Sequence, residues 1–163
     1  MDKTLNDYVS LYKAQLQNED IQIAYERLLK YLMAVKAYFE KTLPNKYSCG
    51  NVSPGYMDFS YFPYSDTFLK NKELRFGIVL NHKEMRFELW LMGRNAKIQK
   101  EYWNLLKNTK WNKNKPAMPK YSIIEIILVV EPDFDKLDEL TAEIVKQTDL
   151  YSNEIISYIK KQG

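Results

Sequence analysis

Residues 73–92 read Glu73-Leu74-Arg75-Phe76-Gly77-Ile78-Val79-Leu80 and then Met85-Arg86-Phe87-Glu88-Leu89-Trp90-Leu91-Met92, with Asn81-His82-Lys83-Glu84 between them. Apolar residues recur at every second position in both halves, the period of a strand and not of a helix. The pattern predicts a hairpin that pairs Leu80 with Met85, Gly77 with Glu88 and Arg75 with Trp90. One face (Leu74, Phe76, Ile78, Leu80, Met85, Phe87, Leu89, Leu91) is core. The other carries Arg75, Gly77, Val79, Arg86, Glu88, Trp90 and Met92, a mixture unlike core or plain surface. This register makes Arg75 and Trp90 a cation–π pair and leaves open space above Glu88 at Gly77.

Upstream of the hairpin, Thr4 can cap a helix over 4–17, with Leu5, Val9, Tyr12 and Leu16 at helical spacing. A longer helix follows to about Thr42, striped by Ile21, Tyr25, Leu28, Leu32, Val35 and Phe39 and stopped by Pro44. A loop at 44–55 leads into a strand over 56–62, which Pro63 ends. Asp58 joins the Glu88 face if this strand pairs beside the next. Downstream, Gly93-Arg94-Asn95 turns into a helix over roughly 96–109, and a Lys-rich loop covers 110–120. Ser122 to Val130 is nearly all apolar, as expected of a strand covered on both faces, with Glu125 its only charge. A last helix is capped by Asp133 or Asp135 and breaks near Thr148-Asp149. The order is α-α-β-β-β-α-β-α. It predicts one α+β domain over 1–163, a four-stranded mixed sheet with helices on both faces.

Composition sets the bounds. The 163 residues are 45% hydrophobic and 28% charged, as in an ordinary globule. One cysteine excludes a disulfide framework, and one Cys with one His cannot make a structural zinc site. No apolar run is long enough to span a bilayer, and the first residues lack the basic and apolar regions of a signal peptide, so a cytoplasmic protein is expected. There is no Walker sequence and no GxGxxG.

The net charge of +3 conceals two halves. Residues 89–120 hold eight cations against Glu101, and residues 131–154 hold eight acids against Lys136 and Lys146. An acidic helix face at 135–160 meeting the basic loop of a second copy would make a homodimer. Of the 24 cations only four are Arg, the residue with the bidentate fork for phosphate and guanine.

Glu88 needs a partner if it is buried. Joined by Asp58, Glu73 or Glu125 it would make a metal or acid–base site. Paired with Arg75 or Arg86 it is structural. Six aromatics between Tyr56 and Phe68 divide between core and a stacking or peptide-binding rim. The Lys107–Lys120 loop, with Trp111 beside Lys110, has the ingredients of nucleic-acid contact or is a solvated loop with an anchoring Trp. His82 is a turn residue with no nucleophile beside it in the sequence, and Cys49 is a reduced packing residue.

The segment Phe76–Asn95 with Gln99, Tyr102 and Trp103, together with Gln22–Tyr25, Gly55–Asp58 and Tyr61-Phe62, resembles an uncharacterised bacterial family of single-domain proteins about this long. That family brings no activity. A more distant resemblance is to the PD-(D/E)XK nuclease superfold, whose α-β-β-β-α-β core matches the order expected over 21–130. The resemblance implies a divalent metal, Mg or Mn, held by a second-strand Asp and a third-strand Glu-x-Lys, with an accessory acid from the preceding helix. Glu88 matches the Glu, but Trp90 stands at the lysine position. The second strand offers only Glu73 or Asn81, and Glu26 or Glu40 would be the accessory acid.

The leading reading is a non-catalytic binding or interaction module that contacts its partner through Asp58, Arg75, Glu88 and Trp90, with Tyr56 and Arg86 beside them. One rival is a metal-dependent nuclease or phosphodiesterase using Glu88 with Asp58 or Glu73. The other is a nucleic-acid binder acting through Lys110, Trp111 and their loop.

Overall fold

The computed structural model describes residues 1–163. Helix α1 (Leu5–Gln15) begins with a full capping box, in which the Thr4 hydroxyl accepts from the Asp7 N–H and the Asp7 carboxylate accepts from the Thr4 N–H. Helix α2 (Asp20–Thr42) buries Leu32, Val35 and Phe39 of the stripe read from the sequence, together with Tyr31; Tyr25 and Leu28 of that stripe are half-buried and Ile21, in the first turn, is exposed. Then come β1 (Ser48–Cys49), β2 (Phe59–Ser65), the short helix α3 (Thr67–Asn71), β3 (Leu74–Asn81), β4 (Arg86–Gly93), α4 (Ala96–Leu106), β5 (Ile124–Val129) and α5 (Leu137–Gln162).

The class is α+β, as expected, but three details of the sheet differ. It has five strands, because the two-residue β1 pairs with the end of β2. So short a strand has no period to read. All pairings are antiparallel, in the order β1-β2-β3-β4-β5, so the sheet is not mixed. The expected helical crossover fails because residues 107–123 carry the chain back after α4. The Ile123 N–H then bonds the Leu91 carbonyl at 2.7 Å, and β5 enters at the end where β4 leaves. The α-β-β-β-α-β order of the nuclease-like core is accordingly interrupted by β1 and α3.

Helices cover one face only. A core of 25 buried residues joins the stripes of α2, α4 and α5 and Leu69 of α3 to Phe62, Tyr64, Phe76, Ile78, Leu80, Phe87, Leu89, Leu91 and Ile124. The opposite face has its own cluster of Val79, Trp90 and Met92, with Phe59 and Tyr61 against it and no helical residue in it. The apolar run of β5 suggested cover on both sides, but β5 is an edge strand, and Ile127 is 42% exposed on the helix-free face.

Two boundaries move for local reasons. Strand β2 runs through Pro63, whose missing N–H is tolerated while its carbonyl accepts from Gly50 N at 2.8 Å. Helix α5 does not break at Thr148, because its polar residues turn inward: Ser152 donates to the Thr148 carbonyl and accepts from the Tyr64 hydroxyl, both at 2.6 Å. The two charged halves meet within one chain, where Lys110 pairs with Glu154 at 3.2 Å. No helix is long and apolar enough to cross a membrane.

Candidate functional site

The hairpin register is Asn81↔Arg86, Val79↔Glu88, Gly77↔Trp90 and Arg75↔Met92, two residues from the expected one. The loop is His82-Lys83-Glu84-Met85, closed by the Asn81 side-chain oxygen accepting from Glu84 N at 3.1 Å and by Met85 at φ 48°. A shift of two keeps every side chain on its face and changes every partner. Arg75 therefore does not stack on Trp90; it stands exposed at the far end of β3, facing Met92. Gly77 opens no space over Glu88. A Cβ there would lie 2.8 Å from Met92 Cε and 3.3 Å from the Tyr61 ring, so the gap is filled by those side chains.

Alternation along β4 points Arg86, Glu88 and Trp90 the same way. Glu88 is 2% exposed. Its Oε2 accepts from Arg86 Nε at 2.8 Å and Asn81 Nδ2 at 2.9 Å, and its Oε1 accepts from Trp90 Nε1 at 2.9 Å. A buried carboxylate would be costly alone, and these donors, one of them charged, compensate it. Beside it, the Glu125 carboxylate accepts from Ser122 Oγ at 2.6 Å, and Lys115 reaches the Glu125 carbonyl at 3.4 Å. Burial pulls the Lys115 ammonium below its usual range, while Glu125 and Glu88 push it back up.

Around this polar centre, the Phe59 and Trp90 ring centroids lie 4.8 Å apart, and Tyr121 lies 6.5 Å from Phe59. Tyr121, Ile127 and Val130 are exposed large apolar residues, and Tyr56 projects almost wholly into solvent.

The other expected acids do not come to Glu88. The Asp58 carboxylate folds back on its own loop, accepting from Tyr56 N at 2.9 Å and Phe59 N at 2.7 Å; these bonds hold its carboxyl below the usual range. Glu73 precedes β3 and pairs with Arg94 at 3.1 Å. It lies at the opposite end of β3 from Asn81, which pairs with Phe59, the residue after Asp58. Eight residue steps, roughly 26 Å of strand, therefore separate Glu73 from the Asp58 end of β3. No group of three or more His, Cys, Asp or Glu side chains converges anywhere in the chain. In the Lys-rich loop, the Trp111 ring meets Tyr158 of α5 edge-on at 5.7 Å and packs against the core, with Lys110 Nζ 5.5 Å above it.

One constellation was not visible in the sequence: Ser60 Oγ lies 2.7 Å from His82 Nε2. The partners are 22 positions apart, and only the β2–β3 register joins them. The pair looks like a nucleophile and its base, but the protons run the wrong way. Ser60 donates its one hydrogen to the Pro54 carbonyl at 2.6 Å, so it accepts from Nε2–H of His82. Ser60 is also fully buried. The arrangement fastens the 50–58 loop to the hairpin turn. Cys49 is likewise passive, since burial and nearby Glu40 push its thiol up to about 11.

A family model described as Domain of unknown function (DUF7000) matches residues 5–159. No curated protein and no solved structure matches the chain.

Proposed function

Because the chain belongs to this family of domains of unknown function (DUF7000), as the resemblance carried by residues 76–95 anticipated, and the family supplies no activity, we propose from the geometry alone that the protein is a non-catalytic interaction module. Its contact surface is the helix-free face of the sheet. The observation that carries this reading is the state of Glu88: all three of its donors come from its own hairpin, leaving the carboxylate no free role in proton transfer or metal binding. The face around it has apolar side chains at its rim, Tyr121 and Ile127, as a protein-binding surface requires. Few cations are available there for a polyanion. Arg86 and Lys115 are engaged, which leaves Arg75 and Lys120.

The test places a photo-crosslinking residue at Tyr121 and, as a control, at Lys30 on the exposed side of α2. A discrete adduct from position 121 alone, lost on Ile127→Glu, is the expected result. Equal labelling from both positions would overturn the reading. So would Mg²⁺ or Mn²⁺ raising the thermal midpoint of the wild type but not of Glu88→Gln; that result would restore the metal-dependent nuclease-like alternative with Glu88, Asp58 or Glu73 as ligands.

A further inference from the structure

Helix α1 buries none of its 11 residues. Leu5 is 78% exposed and Tyr12 65%, and Tyr8, Val9 and Leu11 are also exposed. These are the apolar side chains of an amphipathic stripe, and none rests on the rest of the chain. An isolated helix shorter than about 12–15 residues is marginal in water, and its stability comes from packing its apolar side. The capping box fixes where the helix starts but cannot replace that packing. The family model spans residues 5–159, so α1 lies inside the stretch it matches.

The same chain carries a second surface that no helix covers, the sheet face described above: Val79, Trp90 and Met92 are buried within it, and Tyr121 and Ile127 stand exposed beside the half-buried Phe59 and Tyr61. We infer that the two satisfy each other between copies: α1 of one protomer lies across the sheet face of a second, and the second returns its own α1, giving a two-fold dimer. This rests on the proposed function and names its partner as another copy of this chain.

Three features argue for a second copy. The first is length: an 11-residue helix is about 16 Å long, and four adjacent strands, β2 to β5, span about 14 Å, so one matches the width of the other. The second is charge. Residues 1–20 carry Asp2, Asp7, Glu19 and Asp20 against Lys3 and Lys13, whereas the sheet face carries Arg75, Arg86, Lys115 and Lys120 against Glu88 and Glu125. The third is reciprocity. Exchange buries both unpartnered surfaces of both chains, and a two-fold interface of this kind closes on itself without leaving an open end.

Sedimentation velocity on the full chain, from micromolar to several hundred micromolar, tests it. The wild type is expected to be a dimer. Because α1 buries nothing within its own chain, the double variant Val9→Glu, Tyr12→Glu should keep its fold by circular dichroism and sediment as a monomer. Tyr121→Glu, on the receiving face, should do the same. Amide exchange should find α1 protected in the wild-type dimer and unprotected in either variant. A wild type that stays monomeric overturns the dimer while leaving the sheet face open to another protein. Dissociation by the α1 variant but not by Tyr121→Glu overturns the seat on the sheet and makes α1 pair with α1.

Discussion

Arg86 and Glu88 stand two residues apart on one strand, point the same way, and meet through a single Nε–H···Oε2 bond of 2.8 Å. The carboxylate is buried while the guanidinium is partly in water, so the two ends of the pair differ in consequence. In Glu88→Gln the new amide sets its own N–H donors against those of Arg86 and Asn81 or against Trp90. We expect a loss of about 3 kcal/mol, the scale for breaking one partner of a buried charged pair. Arg86→Met leaves the buried carboxylate with only the neutral donors of Asn81 and Trp90 and should cost at least as much, about 3–5 kcal/mol, the scale for a buried charge without its partner. In the double variant Glu88→Gln should cost at least about 1 kcal/mol less than it does alone, read by urea unfolding. Strict additivity would mean that the pair contributes nothing.

How much of this was legible from the sequence follows from what each pattern encodes. Period-two alternation placed Arg86, Glu88 and Trp90 on one face, which is why a structural partner for Glu88 was found among its near neighbours. Alternation says nothing of register, however. That was set by the Asn81 side chain bonding Glu84 N and by the left-handed Met85, which shifted the pairing by two and separated Arg75 from Trp90. The apolar run of β5 does not distinguish a central strand from an edge strand, because an edge whose other face meets a partner has the same composition. The Ser60–His82 contact depends on two strands meeting and has no local signature.

Two glycines give opposite expectations from similar distances. At Gly93 a Cβ would lie 2.7 Å from the Gln99 backbone nitrogen and 3.1 Å from its Cα, atoms of the first turn of α4 that cannot yield without moving the helix. Gly93→Ala should therefore destabilise by about 2–3 kcal/mol, the range for overpacking. At Gly77 the nearest atom is the terminal methyl of Met92, at 2.8 Å, and a methionine rotates out of the way readily. Gly77→Ala should cost under about 1 kcal/mol, and Met92→Ala in the same chain should remove that cost. Thermal unfolding of the wild type, the three single variants Gly93→Ala, Gly77→Ala and Met92→Ala, and the Gly77/Met92 double variant read against Met92→Ala decides it; equal losses at the two glycines would refute the account.

The Ser60–His82 lock makes stability depend on pH in a definite direction. Nε2–H is committed to Ser60, whose own hydrogen goes to the Pro54 carbonyl, so a second proton must enter at Nδ1 and place a cation in a half-buried site. Burial lowers the His82 pKa below its usual value, and the Asp58 charge opposes this only in part. The folded state therefore binds protons less readily than the unfolded chain, where histidine titrates near about 6.5. Stability is fully present above that value and is lost as pH falls below it, until the folded-state His82 is also protonated. Asp58 acts in a separate and lower window: its carboxyl is held below the usual range by the Tyr56 and Phe59 N–H groups, so its contribution disappears only as pH falls below the ordinary carboxylate range. The thermal midpoint should thus decline between about pH 7.5 and 5.5, then again below about pH 4. His82→Gln should flatten the first decline and leave the second. A wild-type midpoint that rises on acidification through the first window would show that His82 gains a proton on folding, and would overturn burial as the force that governs its titration; the Ser60 hydrogen bond, donated by Nε2–H in either protonation state, would stand.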